Sequence, residues 1–193
     1  MSDAFLIHHP LFSLAVWVVL YASDYYLTLW GAHLYKDVAS NFIDYGGSYE
    51  LEQIFRKDVD ALRRLSPEFV YRLFLSSALL LAFWWYTVRF IQLPEFFLVL
   101  LGALMLVEGV VFTRHISNIL LFRAMKTPGA VEGRIKYARW LTERLSIQQI
   151  LAFAAFFAFC FLMSAKVFFL GGTLGCLATA GRHMRQTRRR AAS

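Results

Sequence analysis

The sequence predicts an all-α protein, a polytopic bundle of membrane-spanning helices. Of its 193 residues, 59% are hydrophobic and 17% are aromatic, whereas soluble domains are about 45–50% apolar. The apolar residues are grouped into runs of about 20, which is the length that an α-helix needs to cross a hydrocarbon core of about 30 Å. We therefore predict one integral membrane domain over residues 1–193, without a separate soluble domain.

The first three spans are predicted from apolar runs at residues 11–34, 69–91 and 94–113. Ser66 suits the N-cap of a helix and Pro67 suits its first position, so the second helix should begin at this pair. Pro94 marks a similar start after a very short turn, and the second and third spans should therefore form an antiparallel hairpin. The third helix is expected to continue beyond the membrane to Lys126, just before Thr127-Pro128-Gly129 ends it.

Two polar segments between the spans are predicted to form amphipathic helices on the cytoplasmic surface of the membrane. In the insert of residues 36–66, apolar residues recur at helical spacing after the break at Gly46-Gly47-Ser48; they are Leu51, Phe55, Val59 and Leu62. The second segment, residues 127–146, is expected to hold a helix over residues 131–145, with Tyr137 and Trp140 at the level of the headgroups.

The number of spans depends on the last apolar region, residues 147–181, which is too long for one upright helix. Lysine and arginine are concentrated in the 36–66 insert, in residues 114–144 and in the tail of residues 182–193. The positive-inside rule places all three groups in the cytoplasm, which requires an odd number of spans. We predict five spans in the plasma (inner) membrane, with a turn near Ser164-Ala165-Lys166, the N-terminus outside and the C-terminus in the cytoplasm. Four spans are the alternative.

The net charge of +7 raises the question of nucleic acid as a partner. Because the charges follow the predicted topology, anionic membrane lipids are the expected partners and nucleic acid is not. Five arginines of the tail are predicted to contact lipid headgroups: Arg182, Arg185, Arg188, Arg189 and Arg190.

Small residues in the last helix predict close helix packing. Gly171 and Gly175 lie four positions apart, so they share one face and allow another backbone to approach. The remaining apolar faces are large for so small a bundle. A homo-oligomer, or a place as a subunit in a larger membrane complex, is therefore expected.

A layer of polar residues is predicted at membrane depth. Asp24 interrupts the first apolar run, and Glu108 interrupts the third at nearly the same distance from its start. At 1.5 Å per residue, both acids lie roughly 20 Å below the outer boundary, and Ser76 and Ser77 fall at the same level. Thr28 shares the helix face of Asp24, and His115 shares that of Glu108, although its position suggests an interfacial side chain.

Three functions fit this layer. The preferred one is a non-enzymatic, homo-oligomeric permeation protein, without a cofactor, in which Asp24 and Glu108 bind a cation or a proton with help from Ser76, Ser77 and Thr28. The second is a membrane-embedded enzyme acting on lipid near the cytoplasmic interface, in which Glu50, Glu52 and His115 join the acids as metal ligands. The third is a structural or assembly subunit whose acids are neutral and hydrogen-bonded to neighbouring helices.

Known catalytic signatures do not favour the enzyme. The sequence contains no HExxH, GxSxG, Walker A or CxxC motif. It also shows no inverted repeat, which argues against a complete alternating-access carrier within one chain.

Overall fold

The computed structural model describes residues 3–45 and 54–191, with side chains at the C-terminal end described as far as Thr187. These ranges hold seven α-helices and two short strands. The helices are α1 (Asp3–His8), α2 (Pro10–Asp37), α3 (Arg56–Asp60), α4 (Pro67–Trp84), α5 (Pro94–Ala124), α6 (Arg139–Ser164) and α7 (Val167–Ala191), and the strands are β1 (Ile43–Asp44) and β2 (Ile135–Lys136).

Four of the described helices are long and apolar enough to cross a membrane. They are α2, α4 with its continuation to Phe90, α5 and α6. The predicted class, a mostly helical membrane protein, is confirmed at this level. A fifth long helix, α7, has 25 residues and becomes basic towards its end.

Local signals place the second and third helices. Ser66 caps α4, since its Oγ accepts a hydrogen bond from the backbone N–H of Phe69 at 3.3 Å, and Pro67 is the first helical residue. The last six residues of this helix, Trp85–Phe90, are π-helical. Gln92 then takes a left-handed conformation with φ 56°, and Pro94 begins α5. The predicted short turn between the two helices is present.

The last apolar region divides where the charge pattern predicts. Helix α6 ends at Ser164, and Ala165 takes a left-handed conformation with φ 54°. The N–H of Ala165 donates to the carbonyl of Phe161 at 2.7 Å, which closes the helix end, and α7 begins at Val167. The turn is therefore made without the glycine that most often occupies such a position.

The structure corrects the expectation of a separate interfacial helix over residues 131–145. Gly133 has φ 80°, β2 follows at Ile135–Lys136, and Arg139 begins the continuous helix α6. β2 pairs in parallel with β1, so that Ile43 lies opposite Ile135 and Asp44 opposite Lys136. The backbone hydrogen bonds of this pairing compete with local helix formation.

The insert of residues 36–66 packs onto the bundle. The predicted helix positions at Ser48 and Leu51 lie outside the described residues, and the helix observed beyond them is only the five residues of α3. Val59 is fully buried, while Leu62 leaves the helix with φ 51°. Residues 38–45, 54–66 and 125–138 occupy one end of the bundle, here named the loop end. The turns at residues 91–93 and at Ala165 occupy the other, the hairpin end.

Helix α5 is the centre of the bundle. It packs against α2 on one side and against α7 on the other, while α4 packs on α2 and α6 packs on α7. The contact between α5 and α7 is close because it is lined with glycine. A Cβ atom on Gly102 would lie 1.9 Å from the carbonyl oxygen of Phe168, and one on Gly171 would lie 2.0 Å from that of Val99. One on Gly175 would lie 2.8 Å from the carbonyl oxygen of Ala103, so Gly171 and Gly175 both face α5 of the same chain.

A candidate intramembrane binding cavity

A cavity of about 270 Å³ lies between the helices in the half nearest the loop end. Its walls come from α2 and α5, its flanks from α4 and α7, and its roof from residues 54–59. Pockets for drug-sized ligands are about 300–1,000 Å³, so this cavity suits an ion, a few waters or one polar headgroup.

His115 joins α2 to α5 inside this cavity. Its Nε2 lies 3.1 Å from the hydroxyl oxygen of Thr28 and also 3.1 Å from Oδ1 of Asp24. Asp24 and Thr28 are four residues apart on α2, so both project towards α5. The contact with Thr28 is a hydrogen bond. The contact with Asp24 has the distance of an ion pair without hydrogen-bond geometry.

The structure corrects the interfacial reading of His115. The residue is only 5% exposed, because helix α5 continues beyond it and the loop end covers it. Its Nδ1 is buried and has no hydrogen-bond partner among the described residues. The imidazole is therefore part of the polar centre of the cavity.

Glu108 supplies the second acid from α5. It lies seven residues before His115, on the same helix face, and it lines the same cavity as Asp24. The two carboxylates are close enough to interact electrostatically. Oε2 of Glu108 and Oδ1 of Asp24 are both buried, and neither accepts a hydrogen bond from the part of the chain that the structure describes.

Three buried polar atoms thus surround one space. A buried donor or acceptor without a partner costs about 1–3 kcal/mol, and more if it is charged. Asp24, Glu108 and His115 together are consequently suited to take up a proton, a cation or ordered water. The arrangement combines two acids with one base in the lining of one cavity, where Asp24 and His115 are in direct contact.

Arginines line the cavity on the side of the loop end. Arg114 donates from Nη1 to the hydroxyl of Ser146 at 2.7 Å, and Arg72 is paired with Glu68 one turn earlier on α4. Arg182 enters from α7, beside Thr179. Three arginines, Arg72, Arg114 and Arg182, therefore share the cavity with the two acids.

The roof is fastened by polar and aromatic contacts. The hydroxyl of Tyr25 donates to the carbonyl of Arg63 at 2.8 Å, and its ring stacks on Phe69 with centroids 4.4 Å apart. Arg63 in turn lies 3.2 Å from Asp58, which accepts a hydrogen bond from Ser66. These contacts attach residues 54–66 to α2 and to the start of α4.

Ser76 and Ser77 do not line the cavity, and Ser76 lies beside Trp17, seven residues before Asp24 on α2. The hydroxyl of Ser76 accepts a hydrogen bond from the indole N–H of Trp17 at 3.0 Å and donates to the carbonyl of Leu73. Trp17 of α2 therefore separates this serine from the acids. Asp24, Thr28 and Glu108 of the predicted layer line the cavity together with His115, but Asp24 meets His115, seven residues beyond Glu108, so the two acids do not lie at one level.

Other predicted site residues lie elsewhere or outside the description. Glu50 and Glu52 fall outside the described residues, as do the side chains of Arg188, Arg189 and Arg190. Arg185 is exposed and does not line the cavity. Within residues 3–45 and 54–191, no three His, Cys, Asp or Glu side chains are grouped closely enough to hold a metal ion.

Sequence reasoning missed Tyr21, Tyr25, Arg72 and Arg114, which also line the cavity. Helical spacing could have identified Tyr21, because it lies three residues before Asp24 on the same helix face, as Thr28 does four residues after it. The hairpin end is filled differently, by apolar side chains that include Trp17, Leu80 and Phe97.

The chain was compared with protein-family models, curated proteins and solved structures, and no significant match was found. The functional argument therefore depends on the cavity itself.

Proposed function

We propose that this protein is a multi-pass membrane protein that binds a proton or a cation at Asp24, Glu108 and His115 and passes it across the membrane. The observation that supports this most strongly is the pair of acids from α2 and α5, each with a buried oxygen that accepts no hydrogen bond from the described residues. Acids within membrane helices are expensive and typically mark ion pathways or proton relays.

The proposal includes five spans, with α7 as the fifth. This places the loop end and the basic tail in the cytoplasm, as the positive-inside rule requires. The cavity then lies in the cytoplasmic half of the membrane and exchanges its ion with that side.

The proposal also includes a homo-oligomer. Apolar side chains such as Leu80, Phe97 and Leu101 fill the hairpin half of the chain, so the remaining path is more readily formed along an interface between copies. The glycine face of α7 is occupied by α5. The contact between copies must therefore use another surface.

An enzyme acting on lipid near the cytoplasmic interface is the second candidate. It is favoured by the position of the cavity between α4 and α7, which have at most marginal contact with each other. In this case Asp24 and His115 would act as acid and base. The metal-dependent form draws no support from the described residues. A purely structural subunit is disfavoured because Oε2 of Glu108 and Nδ1 of His115 are buried without a hydrogen-bond partner among the described residues.

Labelling with a hydrophobic carbodiimide tests whether the acids bind a proton or a cation. Dicyclohexylcarbodiimide partitions into membranes and modifies protonated carboxyl groups. We expect an adduct on Asp24 or Glu108, located by peptide mass spectrometry, that forms more slowly at higher pH or with sodium or potassium at constant pH. Glu95, an exposed acid at the hairpin end, is the internal control and should stay unmodified. Absence of an adduct, or a rate that neither pH nor cations change, would contradict the proposal.

A further inference from the structure

We propose that the arginines in the lining of this cavity bind the phosphate of one anionic phospholipid, which enters sideways between α4 and α7 from the leaflet at the loop end. The inference concerns a second ligand and does not rest on ion transport. Three observations support it: the three arginines in the lining, the small contact between α4 and α7, which flank the cavity, and the volume of the cavity.

Arginines outnumber acids in the lining of the cavity. Glu108 and Arg114 are six residues apart on α5, which corresponds to about 9 Å along the axis, with the arginine nearer the loop end. Arg72 and Arg182 join Arg114 in the lining, so three arginines face two acids, Asp24 and Glu108. With both histidines neutral, the lining has a net charge of +1.

Arginine is well suited to this ligand. Its planar guanidinium donates two parallel hydrogen bonds to phosphate oxygens, and the bonds are strengthened by charge. The existing contacts of Arg72 with Glu68 and of Arg114 with Ser146 hold two of these guanidinium groups in place. A phosphate held by Arg72 and Arg182 would have one side on α4 and the other on α7.

The way into the cavity points to a lipid as the source of the phosphate. At the loop end, residues 54–59 contribute to the lining, with Val59 fully buried and Tyr25 hydrogen-bonded to the carbonyl of Arg63. The flanks are different, because α4 is held by α2 and α7 by α5 and α6, with little direct contact between α4 and α7.

The volume decides how much of the lipid enters. At about 270 Å³ the cavity accommodates a headgroup but not two acyl chains. The chains would remain in the bilayer beside α4 and α7. Phe69, Val107 and Val111 are the apolar residues of the lining that would meet the glycerol and the first methylenes.

Lipid retention by native mass spectrometry tests the inference. The full chain is reconstituted in phosphatidylcholine nanodiscs that contain a minor fraction of phosphatidylglycerol, and the lipids that remain bound after release are counted. We expect one phosphatidylglycerol per chain. Arg72→Gln and Arg182→Gln should each weaken retention by about tenfold or more, as expected for the loss of charge-assisted hydrogen bonds. Arg185→Gln, an exposed arginine of α7 that does not line the cavity, should have little effect.

Further variants keep the outcomes distinct. Arg182→Lys preserves the charge without the two-pronged geometry and should retain less lipid than the wild type, even if a glutamine variant fails to fold. Asp24→Asn should retain the lipid, so failure of ion transport and failure of lipid binding are separable. Equal loss in Arg185→Gln would overturn the inference in favour of general surface attraction. Displacement of the lipid by millimolar inorganic phosphate would overturn it in favour of a soluble phosphate ligand.

Discussion

The packing of α5 against α7 leads to a prediction that uses two glycines of one helix. A methyl group added at Gly102 would fall 1.9 Å from the carbonyl oxygen of Phe168, whereas one added at Gly109 meets nothing within 4 Å. Both glycines lie within α5. Any general effect of alanine on helix propensity is therefore common to the two substitutions.

The magnitude follows from these distances. Overpacking usually costs about 1–3 kcal/mol, and a backbone carbonyl cannot rotate away as a side chain does, so the upper value applies. Alanine in place of glycine stabilises the helix by about 0.5–1 kcal/mol through its higher helix propensity. Gly102→Ala should therefore lose about 2 kcal/mol, while Gly109→Ala should gain up to about 1 kcal/mol.

Thermal unfolding in detergent, followed by circular dichroism, measures this difference. At about 2–4 °C per kcal/mol for a chain of this size, Gly102→Ala should melt about 4–8 °C below the wild type and Gly109→Ala slightly above it. Equal melting temperatures for the two variants would refute the packing of α5 on α7.

Two further predictions concern the roof and the orientation. Tyr25→Phe removes the hydrogen bond to the carbonyl of Arg63, which is worth about 0.5–1.5 kcal/mol, and should speed amide hydrogen exchange in residues 55–65. Tyr26→Phe, which changes the exposed neighbour, should not. Unchanged exchange in Tyr25→Phe would argue against a roof held by this hydrogen bond. In intact cells, an impermeant maleimide should label Lys166→Cys at the hairpin end but not Lys126→Cys at the loop end, and the reverse pattern would exclude the proposed orientation.

Local signals in the sequence were sufficient for the helices that begin at Pro67 and Pro94, because a cap and a proline act within one turn. The turn at Ala165 was predicted from the distribution of basic residues along the whole chain and not from the residues of the turn. The error at residues 131–145 has a non-local cause. β2 pairs with β1, which lies about 90 residues earlier, and periodicity within a short window does not report such a partner.

The helices that supply the site were predictable, but the level and the direction of each side chain were not, since Asp24 meets His115, seven residues beyond Glu108. Counting residues placed Asp24, Glu108, Ser76 and Ser77 at one level, but it contains no information about which direction α4 faces. In the structure Trp17 covers Ser76. The burial of His115 depends on tertiary packing, which residue counting does not report. Arg72 and Arg114 were not predicted in the lining because basic residues were used only to assign topology.

The most direct test of the central claim is ion flux into liposomes that contain the purified protein and an internal pH-sensitive dye, with sodium- and potassium-sensitive dyes in parallel. The wild type should dissipate an imposed gradient of protons or of one of these cations. Asp24→Asn and Glu108→Gln should each lose most of that flux while they keep the melting temperature and oligomer size of the wild type. Asp37→Asn, which changes an exposed acid at the end of the same helix α2, should leave the flux unchanged. Full flux in folded Asp24→Asn and Glu108→Gln, or no flux of any of these ions through the wild type, would contradict the account.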